Sequence, residues 1–89
     1  MSRKDSEAKA REAIRSILEE QLSNPETPEV KQQYNRLRSQ GYSDAETREM
    51  MSVILLIYIN ETAAGNDYGY ADYVAGLRYL PEIDWGDEE

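Results

Sequence analysis

Apolar residues recur at steps of three and four along most of this chain, and between Val53 and Ile59 they stop alternating with polar ones altogether. Steps of three and four are the signature of amphipathic helices with one buried face. Over residues 4–22, Ala10, Ile14, Ile17, Leu18 and Leu22 form such a stripe, widened by Ala13, and predict a first helix. Asp5 with Lys9 and Glu7 with Arg11 add i,i+4 pairs in the favourable orientation. Asn24 precedes Pro25 and is pushed out of the α region, which ends that helix. Thr27 and Pro28 then have the residue types of an N-cap and a first helical position, so a second helix is expected over 28–39. Its stripe is narrow: Val30, Tyr34 and Leu37. Gly41 suits the left-handed position that closes a helix, with Tyr42 placed to pack back on the last turn.

Ser43-Asp44-Ala45-Glu46 has the pattern of a capping box and leads straight into the apolar run. Val53 to Ile59 is rich in β-branched residues and in isolation fits a buried strand. No other segment alternates or carries a hairpin turn to partner it, and a capping box precedes it, so the segment is predicted helical over 44–62. A helix that is apolar all round has to be covered on every side. Residues 63–69, with two glycines and Asn66-Asp67, read as a turn. Tyr70, Tyr73, Val74, Leu77 and Leu80 then keep helical spacing, predicting a last helix over 71–80 that Pro81 stops. The expected fold is all-α: one small four-helix domain over residues 1–81, bundle-like or orthogonal, with the hydrophobic third helix at its centre. Residues 82–89 form an acidic C-terminal tail.

Composition narrows the function more than it defines it. The chain has 89 residues, no cysteine and no histidine, which removes disulfides, thiolate metal sites and the commonest general base. The formal net charge is −8, but EIDWGDEE at 82–89 supplies five acids and no base, leaving −3 for residues 1–81. A net negative chain without a basic stripe is a poor nucleic-acid binder. The charged start, MSRKDSEAKA, lacks the apolar core of a secretory signal, and the central run is about half of what a membrane span requires. A cytoplasmic protein with no membrane association is the expectation. Basic residues come early in the first helix and Glu19 and Glu20 come late, against the helix dipole. That order fits either a plain solvated face or a basic arm that docks an acidic surface, including the tail of a second copy. Ile83 and Trp85 within the tail read as a hydrophobic latch onto the helices, or else as an exposed short motif.

Catalysis needs a nucleophile with a base, paired carboxylates or metal ligands. Without histidine only Ser–Lys chemistry remains, and Ser6 and Lys9 lie on a charged face. Asn60, Glu61, Asp67 and Asp72 flank the turn, but their spacing does not match a calcium loop, and turn or cap roles explain each. A non-enzymatic chain without metal or cofactor is therefore expected. Tyr58, Tyr68, Tyr70, Tyr73 and Tyr79 crowd the last third, either as packed rings with hydroxyls at the surface or as a binding face. Three short amphipathic helices give limited cover for the third. The expected role is a protein–protein interaction module that pairs with itself as a homodimer, with Val53, Leu56, Ile57, Tyr68, Tyr70 and Trp85 as interface candidates. A further, unidentified protein partner also fits that role. The alternative is an acidic inhibitor that mimics nucleic acid in a basic cleft of another protein.

From about Glu20 to Pro81 the order of features resembles a family of small helical bacterial proteins of unknown function. The shared features are the helix start at Pro28-Glu29, Leu37 followed by the turn at Gly41-Tyr42-Ser43, the acid-capped apolar helix, and a tyrosine-containing helix closed by Leu80-Pro81. The resemblance implies an all-helical fold and no enzymatic activity. Members of that family often carry histidines, which this chain lacks, so a metal role would not carry over.

Overall fold

The computed structural model describes residues 3–82, with side chains from Lys9 onward. Four helices follow one another: α1 (Arg3–Ser23), α2 (Pro28–Ser39), α3 (Asp44–Ala63) and α4 (Tyr70–Tyr79). The all-α expectation holds, and each helix begins and ends within a residue of where the sequence predicts. The reasons are local. Ser43 accepts from the Glu46 amide at 3.0 Å while Glu46 accepts from the Ser43 amide at 2.9 Å, so the capping box is complete. At the end of α2, the Tyr42 amide reaches the Leu37 carbonyl at 3.3 Å and the Gly41 amide reaches the Arg38 carbonyl at 3.0 Å. This is a Schellman closure, and Gly41 takes the positive φ of 103° that it requires. The end of α3 repeats the pattern, with Asn66 bonded to Glu61, Gly65 bonded to Thr62, and Gly65 at φ 83°.

Two details differ from the sequence expectation. Thr27 occupies the N-cap position of α2 but makes no side-chain cap. Its hydroxyl turns back and donates to the Gln21 carbonyl at 2.9 Å, tying the loop to the end of α1 instead. The last helix is shifted by one residue: the Asp72 carboxylate accepts from the Gly69 amide at 2.9 Å, so α4 starts at Tyr70. Leu80 has left helical geometry but is still buried.

The core draws on every element. Leu18 of α1, Val30 and Leu37 of α2, Met51, Ile54 and Leu55 of α3, Tyr73 and Leu77 of α4, and Leu80 form one buried cluster. Helix directions follow from side-chain pairings. Tyr70 donates to Glu29, and Arg36 reaches the carbonyls of Leu77 and Leu80, so α2 and α4 run in the same sense. Ile54 meets Gly76 and Tyr58 stacks on Tyr73, so α3 runs opposite to α4. Glu19 pairs with Arg48 near the start of α3, whereas Gln21, two residues on, accepts from Tyr73 of α4. Helix α1 therefore lies across the others. It packs chiefly on α2 and α3 and meets α4 through side chains, as in the Gln21–Tyr73 bond.

Candidate interaction surface

Among the described residues, helix α3 is not covered on all sides. Thr47, Met51, Ile54 and Leu55 are buried, and Tyr58 packs against the core from the same side. At 100° per residue the opposite face carries Glu49, Val53, Leu56, Ile57 and Asn60. Leu56 is 45% exposed and Ile57 40%, and Val53 between them is half-buried. Three of the apolar residues singled out from the sequence thus form one outward row, with a charged residue at one end and an amide at the other.

A groove of about 330 Å³ runs beside this row. One wall is Arg11, Ile14 and Arg15 on α1, and the other is Ser52, Val53 and Leu56 on α3. Glu49 closes one end. It forms because α1 crosses α3: Leu18 is buried against the core, whereas one turn earlier Ile14 is already half-exposed and the helix stands off. No ion pair engages Arg11 or Arg15 among the described residues, where Arg48 alone pairs, with Glu19 and Asp44.

Tyr68 and Tyr70 are not part of this surface. They belong to an aromatic cluster between the end of α3 and the start of α4. Tyr58 stacks on Tyr73 with centroids 5.0 Å apart and tilts against Tyr68 at 6.0 Å, and Tyr70 meets Tyr73 edge-on at 6.1 Å. The hydroxyls are used internally: Tyr73 donates to Gln21 at 2.6 Å and Tyr70 donates to Glu29 at 2.9 Å. Burial pushes the Tyr73 phenol well above its ordinary range. Desolvation, and then the bond to the Glu29 carboxylate, push Tyr70 to about 12. Tyr68 is also raised, by desolvation and by the nearby Asp72 and Glu61 carboxylates. Glu29 is lowered, first by backbone amides at the start of α2 and then by the Tyr70 hydroxyl. Tyr73 is thus a packed ring with a satisfied hydroxyl, whereas Tyr70 is bonded to Glu29 but stays at the surface. Tyr79 stands apart and is largely exposed. Trp85, the sixth interface candidate, lies outside the described residues, as does Ile83.

Of the carboxylates flanking the turn, Glu61 accepts from the Asn66 side chain and Asp72 caps α4. Among the described residues no three carboxylates gather into a cluster that would hold a cation. No helix among them is long and apolar enough to cross a membrane. Arg11 and Arg15 belong to the basic start of the first helix that the sequence offers as an arm for an acidic surface; that they wall a groove against α3 was not legible. Their arginine spacing of four was visible, but nothing in a single helix says what crosses it. No family model, curated protein or solved structure matches this chain.

Proposed function

We propose that this chain is a non-enzymatic interaction module that pairs with a second copy of itself through the outward row of α3. The observation that carries the reading is the exposure of Leu56 and Ile57 beside Val53, on the helix that also supplies the core. A second copy fits the row because the row is complementary to itself. In a two-fold, antiparallel pairing a residue at i meets j, and j meets i. Centred between residues 54 and 55, that operation sets Val53 against Leu56 of the second copy and Glu49 against Asn60. The apolar residues meet in the middle and no like charges face one another. Burying such anchors at the centre of a contact, with polar residues at the rim, is where association energy concentrates.

Light scattering at micromolar concentration tests the reading. A dimer is expected, and replacing Leu56 by glutamate is expected to return it to monomer with a helical circular-dichroism spectrum intact, since Leu56 lies outside the core cluster. A wild-type chain that scatters as a 10.3 kDa monomer across this range sinks the proposal.

A further inference from the structure

The groove beside the row poses a separate question, because its far wall is α1, which the proposed α3 pairing does not use. Interface cores are packed as densely as protein interiors, so an occupant of matching shape and charge is called for. Its chemistry is legible in the lining: apolar Ile14, Val53 and Leu56, with the guanidinium groups of Arg11 and Arg15 along one wall. Only Glu49, at the end, bears the opposite sign. An extended strand with one or two bulky apolar side chains among carboxylates satisfies both requirements. The chain contains such a segment, Ile83-Asp84-Trp85-Gly86-Asp87-Glu88-Glu89.

The segment's own groove lies on a different side of α3 from the end of α4. Helix α4 ends against α2, held there by Arg36, and it packs on the side of α3 that carries Ile54. The groove opens on another side of α3, at Val53 and Leu56, so the body of that helix stands between them. Trp85 is three residues beyond Glu82, a span of at most about 11 Å, so on its own chain the segment would have to extend fully to round a helix about 10–12 Å across. A second copy meets neither obstacle.

We infer that the acidic segment 83–89 of one copy docks in the α1/α3 groove of the other, with Trp85 against Ile14 and the groove-facing flanks of Val53 and Leu56 and its carboxylates on Arg11 and Arg15. This rests on the proposed self-pairing and names the segment that completes it. Docking is reciprocal in a two-fold dimer, so each copy gives a segment and receives one. Because the arginine contacts lie at the rim, they contribute more to specificity and salt dependence than to affinity.

Trp85 is the only tryptophan, so its emission, excited at the red edge to spare the tyrosines, reports on this segment alone in the full chain. At concentrations where light scattering gives a dimer, the emission is expected to be blue-shifted relative to a free peptide of residues 83–89. On dilution it should move to the red with the same midpoint as the loss of mass. The double variant Arg11→Glu/Arg15→Glu should leave the emission red throughout while a weakened dimer still forms. A dimer whose tryptophan emits like the free peptide overturns the inference and leaves the self-pairing standing. A blue emission that the double charge reversal does not change overturns the groove as its seat. A monomer overturns both readings, and if its emission is blue at every dilution, the segment folds on its own chain.

Discussion

Thr47 is the least accommodated residue in the described part of the chain. It is fully buried on α3, and its hydroxyl alone among the buried side-chain polar atoms lacks a hydrogen-bond partner. Leaving a hydroxyl desolvated and unpaired costs about 1–3 kcal/mol. Valine has the same shape and β-branching without that group, so Thr47→Val is expected to raise stability by about 1 kcal/mol, read as a higher melting temperature. Gly76 presents the opposite case. A Cβ there would lie 2.9 Å from the Cγ2 of Ile54, closer than real contacts allow. Alanine gains about 1 kcal/mol of helix propensity, but overpacking a tight core costs about 1–3 kcal/mol. Gly76→Ala is therefore expected to destabilise modestly. The loss should shrink in an Ile54→Leu background, which removes that methyl; a double-mutant cycle without coupling would contradict the contact.

Helix boundaries were the most legible feature of the sequence because their determinants are local. The capping box at Ser43–Glu46 and the glycines at 41 and 65 act through bonds no more than five residues apart. What crosses what was not legible. Val53–Ile59 is apolar on all faces, so its sequence does not say which side turns outward. That depends on where α1, α2 and α4 land. Tyr68 and Tyr70 were grouped with Val53, Leu56 and Ile57 on composition alone, and only the packing separates them. One of the contacts that fixes the arrangement is invisible to pattern reading. Arg36 on α2 donates to the carbonyls of Leu77 at 3.1 Å and Leu80 at 2.9 Å, with its Nε held by Gln33 at 2.8 Å. It serves as the missing partner for the last turn of α4, from another helix. A lysine has the charge but not the planar fork. Arg36→Lys is thus expected to lose most of what Arg36→Met loses, about 2 kcal/mol for hydrogen bonds from a charged donor. Hydrogen exchange should show the loss concentrated in the amides of 74–80; an even loss across all four helices would argue against the role.

At the scale of the molecule, the shifted groups lie at the junction of α1, α2, α3 and α4, so pH should act on the fold from there. For Tyr73 and Tyr70 the folded state holds the phenolic proton more tightly than the unfolded chain, where the value is about 10. A raised value means that their contribution is complete below about pH 10 and is lost as pH rises toward the folded-state value. Tyr73 is buried and donates to Gln21, so it dominates; a single such group steepens the fall by up to about 1.4 kcal/mol per pH unit. Glu29 works in the opposite direction. Its value is lowered, so its contribution is present above the unfolded value of 4.5 and fades as pH falls through the folded one. Since the Tyr70 hydroxyl donates to the Glu29 carboxylate, the same bond supports the fold at both ends of the pH scale. Denaturant melts between about pH 8 and about pH 11.5 are expected to show stability flat up to pH ~10 and falling above it. Tyr73→Phe should begin about 1 kcal/mol lower, for the lost bond to Gln21. It should nonetheless lose less between pH ~10 and pH ~11.5, because the group whose ionisation the fold resists is gone. Parallel pH profiles for the two proteins would remove Tyr73 as the origin of the alkaline transition.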